Sequence, residues 1–451
     1  MTERVTCLGL VVLAVLFSDA ASAQRTTPAM FYVDSAKGED EAAGTSEAAP
    51  WRTLDRVNRA ELIGGDTVRF ACGGLWRGQL KPRSGRADAR ITYTSYGSGP
   101  KPILQGSVDY SRADQWEQAG PGVWATLPGR GERPDLDVGI LILDHGRKWG
   151  VKKWSRADLK APLDYWYDAA SKRVFVACDA NPAERFKSIE LALTRHIVHQ
   201  NGVHDVTYDG LAVRYGAAHG FGGGSTVRIT IRNCEVYWIG GGLQYHKPGR
   251  GPVRYGNGIE FWNAARDHLV EHNRLWEIYD AALTNQGSGE NSHQVNITWR
   301  HNVIWNAEYS FEFWNRPASA VTRNIVFEHN TCVDAGGGWA HAQRPDRNGA
   351  HLMFYNNPSA TSGFVIRHNI FASSSEVCLR MDNDWRSGLT MHDNLYWQTD
   401  RPVVRWLIKQ YFAPADFGQY QARLGMDRGS RLAKPEFCDA GARDYRLKSG
   451  P

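Results

Sequence analysis

The second half of the chain is written in one recurring pattern of apolar and polar positions. From residue 205 onward come "DVTYDGLAV", "RITIRNCEV", "HLVEHNRLW", "NITWRHNVIW", "NIVFEHNTCV", "FVIRHNIFA" and "LTMHDNLYW". In each, apolar residues alternate at period two, a polar pair interrupts, and an apolar residue returns two places on. The alternation predicts strands with one buried face, and the pair predicts a bend. Aligned on the second residue of the pair, the phrases give Leu211, Cys234, Asn273, Asn302, Asn330, Asn369 and Asn394, spaced 23, 39, 29, 28, 39 and 25 apart. Coils of roughly two dozen residues, with loops let into the longer ones, account for these intervals. A single coil has too little apolar surface to fold alone, so stacked coils must share one core. The expected fold class is all-β, a parallel β-helix.

The first residue of the pair forms its own column: Asn233, His272, His301, His329, His368 and Asp393. It continues the inward parity of the apolar positions. It therefore reads as a stacked polar ladder at the corner, each neutral imidazole donating one hydrogen bond and accepting one. A metal centre draws its ligands from different elements and includes a carboxylate or an open position. No metal ligands are assigned.

A second strand follows each bend, and "EFWN" recurs there, at 260–263 and 312–315. Stacked on their closing Asn, the segments are "GIEFWN" (258–263), "DAALTN" (280–285), "SFEFWN" (310–315), "HLMFYN" (351–356) and "CLRMDN" (378–383). This register points Ile259, Phe261, Leu283, Phe311 and Phe313 inward. It sets Glu260, Ala282, Glu312, Met353 and Arg380 in one outward column, with Trp262, Thr284, Trp314, Tyr355 and Asp382 beside it. A one-residue slip would reverse every face. "TNQGSGEN" (284–291) reads as a polar turn at the groove.

The flanks divide the chain further. Arg4, the apolar run "CLGLVVLAVLF" and the small residues "ASA" mark residues 1–23 as a signal peptide cleaved after Ala23. The protein is expected to be periplasmic or secreted, with no membrane insertion. Residues 24–110 read as an N-terminal cap with the first coils, and 111–190 as inserted strands and hairpins. Residues 191–400 read as the regular β-helix with its groove, and 401–451 as a C-terminal capping tail.

The opening "FYVDSAKGEDEAAGTSEAAPWRTLDRVNRA" and the coils that follow resemble secreted right-handed parallel β-helix proteins that act on polysaccharides, the pectate-lyase-like superfamily in its broad sense. The resemblance runs from Phe31 to about Tyr445 and implies the fold and the export. It does not imply one reaction, because the superfamily holds hydrolases, lyases and epimerases. No adjacent Asp-Asp pair of the polygalacturonase kind occurs in the chain.

Charge and cysteine content narrow the classes little. Losing the leader removes Glu3, Arg4 and Asp19, so the formal charge of +5 rises by one. That tolerates an anionic ligand, but the chain has no dense Lys/Arg cluster of the nucleic-acid-binding kind. Six cysteines remain without CxxC spacing, which argues against zinc or a redox pair. They are expected to be buried free thiols.

The candidate chemistry lies in the groove. Glu260 and Glu312 fall two rungs apart, about 9.6 Å along the sheet, and Asp280 stands at the mouth of the rung between them. Two carboxyls flanking a glycosidic bond are the requirement of hydrolysis. Trp262, Trp314 and Tyr355 offer flat faces on which sugars stack. Insertions at 241–257 and 336–351 supply Lys247, Arg254, His341, Arg344 and Arg347, and Arg380 and Asp382 close the far end. The leading expectation is a glycoside hydrolase acting on a polysaccharide or oligosaccharide without a cofactor. A lyase would take a uronate-containing glycan by β-elimination, using Lys247, Arg254, His341 and Arg344, and Ca²⁺ if one joins. A non-catalytic glycan-binding protein would use the same Trp and Arg residues for adhesion.

Overall fold

The computed structural model describes residues 25–448, and the predicted leader lies outside them. One coil shows how the others are built. Strand Ala265–Glu271 runs along a first face and ends at His272, whose φ of 57° turns the chain. The next strand starts a second face, bends at Tyr279 and Asp280, and continues along a third as far as Ser288. His293–Arg300 then rejoins the first face one rung further on, parallel to Ala265–Glu271.

The first face is a sheet of ten strands, all parallel, from Met30–Val33 to Leu389–His392. The second and third faces belong to one seventeen-stranded sheet folded round the bend. The solenoid is a parallel β-helix, as the periodicity predicts. Five strands make the part of the third face that matters here: β1 (Ile259–Trp262), β2 (Arg274–Ser288), β3 (Val303–Arg316), β4 (Ala350–Phe354) and β5 (Val377–Met381). They pair in parallel in the order β1-β2-β3-β4-β5.

Alternation in the sequence becomes alternation of burial. Phe261, Trp299, Phe311, Phe313, Phe327, Phe354 and Phe364 are fully buried and meet along the axis, Phe313 with Phe364 at 4.9 Å and Phe311 with Phe327 at 4.8 Å between centroids. Removing each such ring from water contributes about 1.5–3 kcal/mol.

The corner differs from the sequence expectation. The histidines are exposed, not inward. Each takes a left-handed φ of 53–57°. That kink swings its side chain out and turns the following Asn in, so the two columns exchange roles. The histidines stack by their faces, 4.9–5.1 Å apart from His272 to His368. The hydrogen-bonded ladder is made of asparagines instead. Asn273, Asn302, Asn330 and Asn369 each donate from Nδ2 to the next Asn Oδ1, at 3.0–3.1 Å, ending on Asn394. Each ladder Oδ1 also accepts the backbone N–H of the preceding Asn.

Between residues 107 and 193 the chain leaves the solenoid to build a four-stranded and a five-stranded sheet around their own core, which includes Leu141, Tyr165, Val176 and Leu191. Helix Leu54–Arg59 packs Leu54 and Val57 onto the first coils. At the other end helix Phe417–Leu424 buries Phe417 and Tyr420. Asp427 ends the Asn ladder there, accepting from Asn394, Ser430, Tyr396 and Tyr420. All six described cysteines are free. Cys178, Cys234, Cys332 and Cys378 are buried, whereas Cys72 is half-buried and Cys438 is exposed, contrary to the expectation for those two. Among the described residues, no helix is long and apolar enough to cross a membrane.

Candidate functional site

Stacking the third-face segments on their closing Asn misplaces one rung. Glu260 lies against Thr284, and Thr284 against Glu312. Trp262 lies against Gln286, and Gln286 against Trp314. Asn285 pairs with Phe313, two residues short of the closing Asn315, and β2 carries one more residue than β3 round the bend, where the pairing shifts between Ile278 and Ala281. A slip of two keeps parity, so Glu260 and Glu312 stay on the outer face while the residue between them changes. Ala282, expected outward, is in the main core. The expected polar turn at 284–291 is strand as far as Ser288.

Above this floor lies an open cleft of about 1370 Å³. Glu260, Asp280 and Glu312 line it together, with Trp262, Trp314, Tyr355, Lys247, Arg254 and Arg344. One wall is the hairpin of Gly242–Lys247 and Gly251–Tyr255. Its legs close at Gly240 and Gly256, whose φ of 98° and 135° and lack of Cβ let the two backbones touch. The loop between Gly336 and Gly349 makes a second wall, and Lys152 and Trp154 of the inserted sheets a third.

Burial governs all three carboxyls. Glu312, 6% exposed, is pushed well above the usual carboxylate range by burial and by the charges of Asp280 and Glu260. Glu260, 7% exposed, is pushed up to about 7 by burial, against hydrogen bonds from Asn257 and Gln286 that pull it down. Burial also raises Asp280, and the Arg344 guanidinium opposes this, with Nη1 at 3.2 Å from Oδ1. Three carboxyls driven toward neutrality around one cleft supply what acid–base chemistry needs near neutral pH.

The aromatic residues divide between floor and support. Trp262 and Trp314 meet edge to face at 5.5 Å, and Arg316 lies over Trp314 at 4.1 Å. The Tyr355 hydroxyl reaches that of Tyr309 at 3.3 Å. The predicted cations do not all face the cleft. Lys247 does, exposed on the hairpin. Arg254 lines the wall but gives its donors to Gly241 O (2.7 Å), Gly139 O (3.0 Å) and Gln343 Oε1 (3.2 Å). Arg344 is buried and donates to Tyr279 O at 2.8 Å as well as to Asp280. His341, Arg347, Arg380 and Asp382 lie outside the cleft lining. His341 pairs with Glu308 at 3.1 Å, Arg347 donates to Ala342 O at 2.9 Å, and Arg380 and Asp382 pair with each other.

Several groups in or behind the cleft escaped the sequence reading. Glu308 is fully buried behind Asp280, where it accepts from His341 and from Asn348 N–H (3.1 Å). His219, Asn257 and Gln286 surround Glu260. A signal existed for Gln286 alone, as the outward residue two places after Thr284. His219 and Asn257 lie in turns, where no period predicts a face. Among the described residues, no group of three or more His, Cys, Asp or Glu is placed to hold a metal ion.

No protein-family model matches the chain. A lacto-N-biosidase of Bifidobacterium longum subsp. longum is 40% identical over 95 residues, which is 20% of this chain and 6% of that protein's length. The structure of XylC with xylose is similar at a TM-score of 0.50 and 11% identity, covering 89% of this chain and 82% of the other. An alginate lyase from Paenibacillus sp. str. FPU-7 has a TM-score of 0.44 at 14% identity, covering 78% and 88%. The likeness to XylC, at 11% identity, is one of fold.

Proposed function

We propose that this chain is an exported glycoside hydrolase that cleaves a polysaccharide or oligosaccharide bound in the third-face cleft. The observation that carries this reading is the convergence of Glu260, Asp280 and Glu312, all displaced toward protonation, on a cleft floored by Trp262 and Trp314. One carboxylic acid gives its proton to the glycosidic oxygen as the C–O bond breaks. A second, as carboxylate, takes a proton from the water that attacks the anomeric carbon. Two rungs separate the backbones of Glu260 and Glu312 by about 9.6 Å, just beyond the upper end of the carboxyl spacing of about 6.5–9.5 Å that leaves room for such a water and well above the about 5–5.5 Å of direct attack. The short stretch shared with a lacto-N-biosidase is in keeping with hydrolysis. Elimination would need free cations beside a uronate carboxylate; of the four predicted, Lys247 alone stands exposed in the cleft, while Arg254, His341 and Arg344 are held by protein partners.

The test is digestion of a panel of acidic and neutral glycans, with reducing ends and unsaturated-uronate absorbance read on the same samples. New reducing ends without absorbance are expected. Both signals rising together would replace hydrolysis by elimination, and Ca²⁺ would then be added to the assay. Tight binding with unchanged glycan length would replace it by adhesion. Export is tested separately: the mature protein outside the cytoplasm should begin at Gln24.

A further inference from the structure

Glu260 accepts two hydrogen bonds on one oxygen and faces an imidazole nitrogen with the other. Oε2 accepts from Asn257 Nδ2 at 2.6 Å and from Gln286 Nε2 at 3.3 Å, and Oε1 faces His219 Nε2 at 3.2 Å. Backbone groups decide how two of these donors are oriented. Asn257 Oδ1 accepts the N–H of Ala281 at 3.0 Å, which leaves the NH₂ for the carboxyl. The N–H of Asn257 donates to His219 Nδ1 at 2.8 Å, so Nδ1 holds a lone pair and the single ring proton sits on Nε2. His219 is buried, stacked on His196 at 4.7 Å and edge-on to Tyr255 at 5.2 Å. Burial holds its pKa down to about 3, which keeps it neutral.

We propose that His219, locked in one tautomer by Asn257, is a positioning residue that favours the carboxylate form of Glu260 against its burial, leaving Glu312 as the proton donor. A proton on Oε2 would crowd the two amide donors there, and one on Oε1 would lose the attraction of the Nε2–H. The other groups facing Glu260 do not supply the stabilisation. Tyr255 and Glu312 are themselves pushed up by the Glu260 charge and stay neutral while it titrates, His196 lies neutral behind His219, and no Lys or Arg pairs with Glu260 among the described residues. Neutral N–H groups therefore do the work that a cation does for Asp280.

The names base and donor rest on the proposed hydrolase reading, whereas the ionisation of Glu260 can be measured without a substrate. The experiment is a carboxyl titration by ¹³C NMR on Glu-labelled protein, with the Glu260 signal assigned by its loss in Glu260→Gln. His219→Phe should raise the Glu260 pKa by about one unit or more, tenfold in proton affinity. His219→Gln, which keeps an N–H donor, should titrate near the wild type, and Gln286→Met should give a smaller upward shift. An unmoved titration in His219→Phe overturns the inference. If that variant does not fold, an unmoved titration in Gln286→Met overturns it. If the wild type cleaves no glycan while the shifts appear, the hydrolase reading fails and the positioning role stands.

Discussion

Glu312 carries opposing demands in one side chain. Burial and two neighbouring carboxyls raise its pKa, which suits a proton donor and burdens the fold. Because its folded pKa lies above the unfolded value, the folded state keeps a proton that the unfolded chain has released. Stability therefore falls as pH rises from the unfolded value, about 4.3, through the folded one. Glu312→Gln cannot ionise and escapes that loss. It should lower turnover by roughly 10²–10⁴-fold while still binding glycan. It should also melt above the wild type at pH 8, with the difference closing below about pH 4. Turnover assays and thermal melts across pH check both, and an active Glu312→Gln removes Glu312 from the chemistry. At this scale the sequence is informative where the fold leaves a residue unexplained. A solenoid needs the Phe of "EFWN" and has no use for its Glu and Trp. Glu308 and His219 gave no such sign, because their roles come from neighbours 33 and 41 residues away.

A coil of this solenoid is held by its core and by its corner, and the corner separates two adjacent residues that look alike in sequence. Asn302 is fully buried. It donates to Val270 O and Asn330 Oδ1 and accepts from Asn273 N and Nδ2, all at 3.0–3.1 Å. Asn302→Ala strands several of these groups at roughly 1–3 kcal/mol each, so a loss of about 3 kcal/mol or more is expected from urea unfolding. His301, exposed and joined to its column only by stacking, should cost under about 0.5 kcal/mol as His301→Ala. Equal costs would refute the exchange of roles between the columns. Period-two alternation made the strands, their parity and the coil count legible. It could not show that a left-handed φ at the histidine reverses the parity across the pair. Nor could it count the residues that β2 spends at its bend. Both errors sit at corners, where backbone torsion and not side-chain period sets direction.

The whole molecule is organised so that distant insertions meet over the floor carrying the carboxyls. Gln343 is where they join. Its Oε1 accepts from Lys152 N of the inserted sheets and Arg254 Nη1 of the hairpin, both at 3.2 Å, and its Nε2 donates to Gly150 O at 3.2 Å. Arg254 ties the hairpin again to Gly139. One side chain of the 336–349 loop therefore links two walls more than 85 residues away in sequence. The lengths of the long coils announce that walls exist, but their joining is a property of packing that no local pattern encodes. Gln343→Ala removes the shared partner without touching the floor. Its first consequence should be mechanical. Amide exchange should quicken together in 148–153, 242–255 and 336–349, and the exchange of β2 and β3 should stay as it was. On the hydrolase reading, the glycan then meets looser walls above intact carboxyls, so KM should rise more than kcat falls. Faster exchange confined to the 336–349 loop would mean that the walls stand independently, and the cleft would be a surface of three separate parts.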